Sequence, residues 1–333
     1  MIFSPPEAGK PFTNKIPQVH LREFHKIVTR FYSMETITLS GQLFQYLITG
    51  ITVGSVYAMV AVGFNIIYNV TEIINFAQGE FVMLGGLIMV FFHVVMGLPL
   101  IMAFPATVIL VMLVGILLDR LAIRPIRQPS VLTLIIATIA ASILLKGAAM
   151  FIWGKDPYDL PAFSGRNPIT VFGAVIQPQY LWVIGFLIVI VIVLSIFFDR
   201  TIIGKAMSAC ADNPNAASLV GINVKQMILL SFALSAAIGA VAGITVTPIS
   251  LMEYDRGAML AVKGFGAAIL GGLGSFPGAI LGGLIMGTIE SFGAGVISSG
   301  YKDAFALIVL LIVLFFRPSG ILGSIEISKI KRF

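Results

Sequence analysis

Residues 180–198, YLWVIGFLIVIVIVLSIFF, run for nineteen positions without a charged side chain. As a helix this run is about 28 Å long, close to the ~30 Å hydrocarbon core of a bilayer. Other apolar runs of comparable length lie at 41–67, 81–97, 99–118, 131–153, 227–250, 257–272, 277–297 and 301–317. The two at 257–297 are weaker, broken by glycines and by GSFPG. With 58% hydrophobic and 11% charged residues, the chain has more apolar surface than a water-soluble core of this size can hide. The expected fold is all-α: a polytopic integral membrane protein with eight or nine transmembrane helices, one of them broken or re-entrant. The expected organisation is an N-terminal arm at 1–40, a membrane domain at 41–318 and a cytoplasmic tail at 319–333.

The basic residues orient these segments, since Lys and Arg concentrate in cytoplasmic loops. Arg120, Arg124 and Arg127 mark one such loop, Arg200, Lys205 and Lys225 a second, and Arg317, Lys329, Lys331 and Arg332 the tail. The segment 154–179 is then external, and ITVFGAVI within it reads as a short hairpin around Gly173. Counting back from Arg120 through three full spans places the N-terminus outside, yet residues 1–40 carry five Lys and Arg. Either the arm arises from an upstream start assignment, with Met34 as the alternative start, or one early segment is not a full crossing. The stretch NVTEIINFAQGEFVMLGG, 69–86, is the place for a break. Irregular backbone survives at membrane depth only where protein or a water-filled cavity covers it.

Chemistry-bearing motifs are few. Gly9-Lys10 is followed by Pro11 and Gly204-Lys205 by Ala206, so no phosphate-binding GxxxxGK[ST] loop exists, and neither HExxH nor GxSxG occurs. The single Cys210 excludes an internal disulfide, and the three histidines are scattered. No catalytic residue, metal site or cofactor is expected. The net charge of +6 sits between the apolar runs, which argues against nucleic-acid binding.

Three polar or small-residue features remain. Asn75, Gln78 and Glu80 are amides and a carboxylate where one segment ends and the next begins; Glu72 reads as interfacial. A charge at mid-membrane costs at least ~2.5–3.5 kcal/mol, so such groups either serve a path or satisfy backbone groups freed by a helix break. In the second basic loop, Asn213 suits an N-cap, Pro214 the first turn and Gly221 a left-handed C-terminus. They define a two-turn helix over 214–220, whose Ala216, Ala217 and Ser218 permit close docking and whose Leu219 and Val220 offer apolar contact. Composition alone allows a mere linker there. Third, Gly274, Gly278 and Gly282, and likewise Gly283 and Gly287, recur every four residues, the spacing of close helix packing. LGGLIM occurs twice, at 84–89 and 281–286, as an internal repeat or as two similar packing helices. Lys146 lies deep in 131–153 and is expected to snorkel; whether Lys263 pairs with Glu290 is not readable from sequence.

Four stretches carry a family resemblance: GITVGSVYAMVAVGFNIIYNVTEIINFAQGEFVMLGG, RPIRQPSVLTLIIATIAAS, GKAMSACADNPNAASLVGIN, and AAILGGLGSFPGAILGGLIMGTIES running on to GYKDAFALIVLLIVLFFRPSGILG. Together they cover about 41–323, and the chain resembles the LivH-type permeases of branched-chain amino acid ABC importers. Gln78 stands where that family usually shows His, which keeps a hydrogen-bonding group but not a titratable one. The resemblance implies a multi-pass protein of a prokaryotic plasma (inner) membrane, surrounded by lipid, that moves branched-chain or other hydrophobic amino acids. It implies ATP-binding subunits, a second permease subunit of LivM type and an extracytoplasmic solute-binding protein as partners. Asn213, Pro214, Ala216, Ala217, Leu219 and Gly221 would couple to the ATPase, and Asn75, Gln78 and Glu80 would line the path. A urea or short-amide permease is the alternative; a sugar permease or a secondary transporter fits less well.

Overall fold

The computed structural model describes residues 39–126, 130–165 and 167–323. The arm before residue 39, Arg127, Arg166 and the tail from 324 lie outside the described residues. Eleven α-helices follow in order: α1 Leu39–Thr71, α2 Gln78–Val90, α3 Leu100–Leu118, α4 Val131–Trp153, α5 Pro178–Arg200, α6 Ile202–Asp212, α7 Pro214–Leu219, α8 Val224–Ser250, α9 Arg256–Gly271, α10 Phe276–Val296 and α11 Lys302–Phe316. Single π-helical turns, Phe91–Val95 and Asp119–Ile123, extend α2 and α3. Among the described residues, eight helices are long and apolar enough to cross a membrane.

The helices form a core and a ring. α1, α2 and α8 are buried along most of their length, whereas α4 buries only Leu134, Thr138 and Ala149, and α11 only Ala306. The Ile, Leu and Phe side chains that face outward from α3, α4, α5 and α11 suit a lipid surround, since a helix keeps most of its backbone groups bonded within itself.

One end of the bundle carries the hairpin. β1 Ile169–Val171 pairs antiparallel with β2 Ala174–Ile176. Phe172 and Gly173 both take positive φ (50° and 77°), as a tight two-residue turn requires. The start of α1 docks here: Gln45 Oε1 accepts from Val175 N at 2.7 Å. The opposite, basic end carries Arg124, whose guanidinium holds Asp119 at 2.8 Å and donates to Lys225 O at 3.0 Å.

Because α1 begins at the hairpin end, α1, α2 and α3 run to alternate ends, and the expected break lies between α1 and α2, where α2 starts short of the end of α1. The expected ninth span is α9, at sixteen residues about 24 Å long. At one end it follows Met252, whose N–H and C=O pair with Tyr158 beside the hairpin. At the other, Leu270 O and Gly271 O accept from Ile321 N and Leu322 N after α11.

Glycine sets how closely helices approach. A Cβ on Gly283 or Gly287 of α10 would fall on the backbone of Ala58 or Gly54 of α1, and one on Gly278 or Gly282 on that of Gly271 or Ala267 of α9. The first LGG copy works alike, Gly85 meeting the Ala240 backbone of α8. Gly274 departs from the expected packing role. It sits in the turn before α10 at φ +91°, and its carbonyl accepts from Asn69 Nδ2 at 3.1 Å. Lys146 does not simply extend outward: it lies 5.5 Å from the Tyr254 ring centre and 3.9 Å from Asp255.

Candidate functional site

The break between α1 and α2 comprises residues 72–77. Glu72 at φ +57° stops α1, and the chain returns through buried Ile73, Asn75 and Ala77. Protein covers this backbone: Thr138 Oγ1 of α4 accepts from Phe76 N at 3.3 Å, and Asn75 Oδ1 accepts from Ala77 N at 3.1 Å. α2 therefore starts inside the bundle. Gln78 lies against Gly63, about 12 Å from the end of α1.

The three expected path residues lie on one stretch but have unequal freedom. Gln78 is fully committed: its Nε2 donates to Ser235 O at 3.3 Å, and the Ser235 hydroxyl lies 2.5 Å from its Oε1 and 2.8 Å from Gly63 O. Those bonds join α2, α8 and α1, a structural task that an uncharged amide performs without the desolvation cost of a charge. Asn75 turns the backbone, and its Nδ2 has no partner among the described residues. Glu80 is 1% exposed; Oε1 accepts from Ser142 at 2.9 Å, while Oε2 has no hydrogen-bond partner among the described residues. Oε2 faces the first turn of α9, where a Cβ at Gly257 would come within 3.1 Å. Beside the Glu80–Ser142 pair opens an apolar cavity of about 250 Å³, walled by Phe64, Phe76 and Phe265. Asn75 and Glu80 thus each keep one buried atom unpartnered among the described residues, and the Ser142 partner of Glu80 lines the open space.

A second cavity, about 230 Å³, opens at the hairpin end on the other side of α9. Its wall carries Arg256, Lys263, Glu290, Lys302 and Asp303. Lys263 and Glu290, 7% and 5% exposed, pair at 2.8 Å. Lys263 also reaches Asp303 at 2.6 Å, and the Tyr57 hydroxyl donates to Glu290 at 2.8 Å. This network ties α1, α9, α10 and α11 together. No sequence pattern announces it, because its members lie on four helices.

At the basic end, α7 is bounded at both ends. Asn213 Oδ1 accepts from Asn215 N and Ala216 N, both at 3.0 Å, and Gly221 at φ +89° lets Ile222 N bond back to Ala217 O at 3.0 Å. Ala217 differs from expectation. At 4% exposed it faces this chain's own core, where its small size lets α7 lie flat. Ala216 is exposed, and Leu219 and Val220 project at 88% and 77% exposed. The preceding α6, capped by Thr201, was not foreseen, although Gly204, Met207 and Cys210 recur every three residues on its buried face.

Comparison with known proteins places these features in context. The profile of the family "Branched-chain amino acid transport system / permease component" matches residues 46–314. The chain is 37% identical over 301 residues to the high-affinity branched-chain amino acid transport system permease protein BraD of Pseudomonas aeruginosa, covering 86% of this chain and 97% of that protein. It is 34% identical over 306 residues to the permease protein LivH of Escherichia coli K12, covering 86% and 97%. The ribose import permease protein RbsC of Haemophilus influenzae is 30% identical over 275 residues, covering 78% and 81%.

Proposed function

This chain belongs to the family of branched-chain amino acid transport system permease components, and on that premise we propose that it is the translocating subunit of an ABC importer for branched-chain or other hydrophobic amino acids. It is a multi-pass inner-membrane protein. ATP-binding subunits, a second permease of LivM type and an extracytoplasmic solute-binding protein complete the machine. The solute moves by alternating access, driven by ATP binding and hydrolysis on the partner chains.

The observation that carries this reading is α7: a helix of six residues, anchored at both ends, that holds Leu219 and Val220 in the open at the basic end of the bundle. A helix this short is not stable alone in water, since isolated helices below ~12–15 residues are marginal. Its order comes from the Asn213 cap, the Gly221 terminus and the seat of Ala217. That construction suits a rigid contact with another chain, and a secondary transporter has no need of one. The Lys and Arg bias makes the basic end cytoplasmic, where ATPase subunits would dock.

The solute path follows α2 and α9. Glu80, whose partner Ser142 lines the Phe64–Phe76–Phe265 cavity and whose second oxygen faces the first turn of α9, offers an acceptor for an ammonium group close to room for an apolar side chain. Gln78 and Asn75 hold the break that creates this depth. A neutral amide or sugar has no charge to set against Glu80, which favours an amino acid over the urea reading.

Co-purification of the tagged chain, with identification of what accompanies it, tests the assignment. An ATP-binding subunit should accompany the native chain and be lost from Leu219→Asp. Purification of the native chain without any ATP-binding subunit would reject the importer reading.

A further inference from the structure

The cavity at the hairpin end contains more cation than anion. Lys263 is fully engaged by Glu290 and Asp303. Arg256 and Lys302, on the same cavity wall, have no acidic partner within ion-pair distance among the described residues. Lys and Arg are favoured at the other end of such a bundle, so two cations that share only the field of Asp303 and form no ion pair need a local reason. The network supplies their placement. Lys263 lies two turns beyond Arg256 on α9, and Asp303 is the neighbour of Lys302 on α11, so the Lys263–Asp303 pair fixes both cations across one space. α9 begins after Asp255, whose carboxylate makes no cap hydrogen bond and lies 3.9 Å from Lys146. At about 230 Å³ the cavity is below the ~300–1,000 Å³ of drug-sized sites, which suits a small solute.

We propose that Arg256 and Lys302 form a subsite for the carboxylate of the incoming amino acid, at the hairpin end and on the opposite side of α9 from Glu80. The proposal rests on the amino-acid reading above and deepens it. The solute would meet a site for its carboxylate first and, past the first turn of α9, a separate site for its ammonium. A guanidinium and an ammonium on two different helices recognise a carboxylate by charge-assisted hydrogen bonds. A neutral amide of equal shape gains nothing from them.

The test uses the full chain in lipid nanodiscs and saturation-transfer NMR, which reads weak binding directly and needs no partner chains. The probes are leucine, 4-methylpentanoate, which lacks the ammonium, and 4-methylpentanamide, which lacks the charge. The native chain should bind the first two and not the amide. Arg256→Gln and Lys302→Gln should each weaken 4-methylpentanoate about tenfold. Arg256→Lys should retain most of the binding, and Gly147→Ala, away from either cavity, should leave it unchanged. Equal binding of acid and amide, or unchanged binding in the Arg256→Gln/Lys302→Gln double variant, would overturn the proposal. So would binding that depends on these cations only when anionic lipid is omitted, because the cations would then serve a lipid headgroup. Leucine uptake by cells carrying the native chain and its partners reads the transport function separately. Uptake that persists while the nanodisc test fails would reject the subsite alone.

Discussion

Replacing Lys263 by Met probes the part of the bundle that sequence could not show. Lys263 is 7% exposed and serves two carboxylates, Glu290 at 2.8 Å and Asp303 at 2.6 Å. Its loss leaves Glu290 with only the Tyr57 hydroxyl, so a buried charge loses its counter-ion. Breaking a buried pair from one side costs about 3–5 kcal/mol. Glu290→Gln is milder, because glutamine keeps an acceptor for Tyr57 and Lys263 retains Asp303; the loss of one charged hydrogen bond costs about 1.5–3 kcal/mol. In the double variant no charge remains at the 263–290 pair, and half-exposed Asp303 can turn to water. The double cost should therefore fall below the sum of the singles by about 1.5–3 kcal/mol. Unfolding in mixed detergent micelles can be followed through Cys210, the only cysteine in the chain, which is 1% exposed. Burial also pushes its thiol pKa up, so thiol reagents react with it slowly until the fold opens. Additive costs, or a Glu290→Gln penalty larger than that of Lys263→Met, would refute the reasoning.

Three further outcomes follow from the packing and the path. Glu80→Gln should keep the Ser142 contact and the amount of folded protein while lowering amino-acid uptake at least tenfold; uptake equal to the native chain would remove Glu80 from the path. Gly283→Val should cut the yield of folded protein, since its side chain would meet the Ala58 backbone and overpacking costs about 1–3 kcal/mol or more, whereas Gly147→Ala, with nothing within 4 Å, should leave the yield unchanged. With Cys210 replaced, a cysteine at Asp156 should react with an impermeant reagent from outside the cell and one at Asn215 should not; the reverse pattern would invert the orientation.

How much of this was legible depends on whether the physics involved is local. The spans could be read because a helix in lipid needs about twenty largely apolar residues in a row, and α5 supplies nineteen without a charge. The hairpin and α7 were legible because Gly173 and Gly221 mark backbone conformations that few other residues adopt, and Asn213 and Pro214 mark a helix start. The depth of the α1–α2 break was not, since 72–77 contains no Gly or Pro and its cover comes from Thr138 on another helix. The inward seat of Ala217 and the turn at Gly274 were missed for a related reason. The spacing of small residues says that something approaches closely, but not which face or which neighbour. The Lys263 network is the extreme case: Tyr57, Lys263, Glu290 and Asp303 meet only once four helices are packed. Arg256 and Lys302 drew no notice because a lone cation at a segment end reads as topology.

The central claim is that this chain carries hydrophobic amino acids across the membrane using energy supplied through α7. Proteoliposomes containing the purified assembly, loaded with ATP and supplied with the solute-binding protein outside, measure this directly. ATP-dependent accumulation of leucine should occur in the native assembly, should exceed that of urea, and should vanish in Leu219→Asp while the bundle stays folded. Leucine accumulation driven by an ion gradient without ATP, or unchanged ATP-driven accumulation in Leu219→Asp, would contradict it.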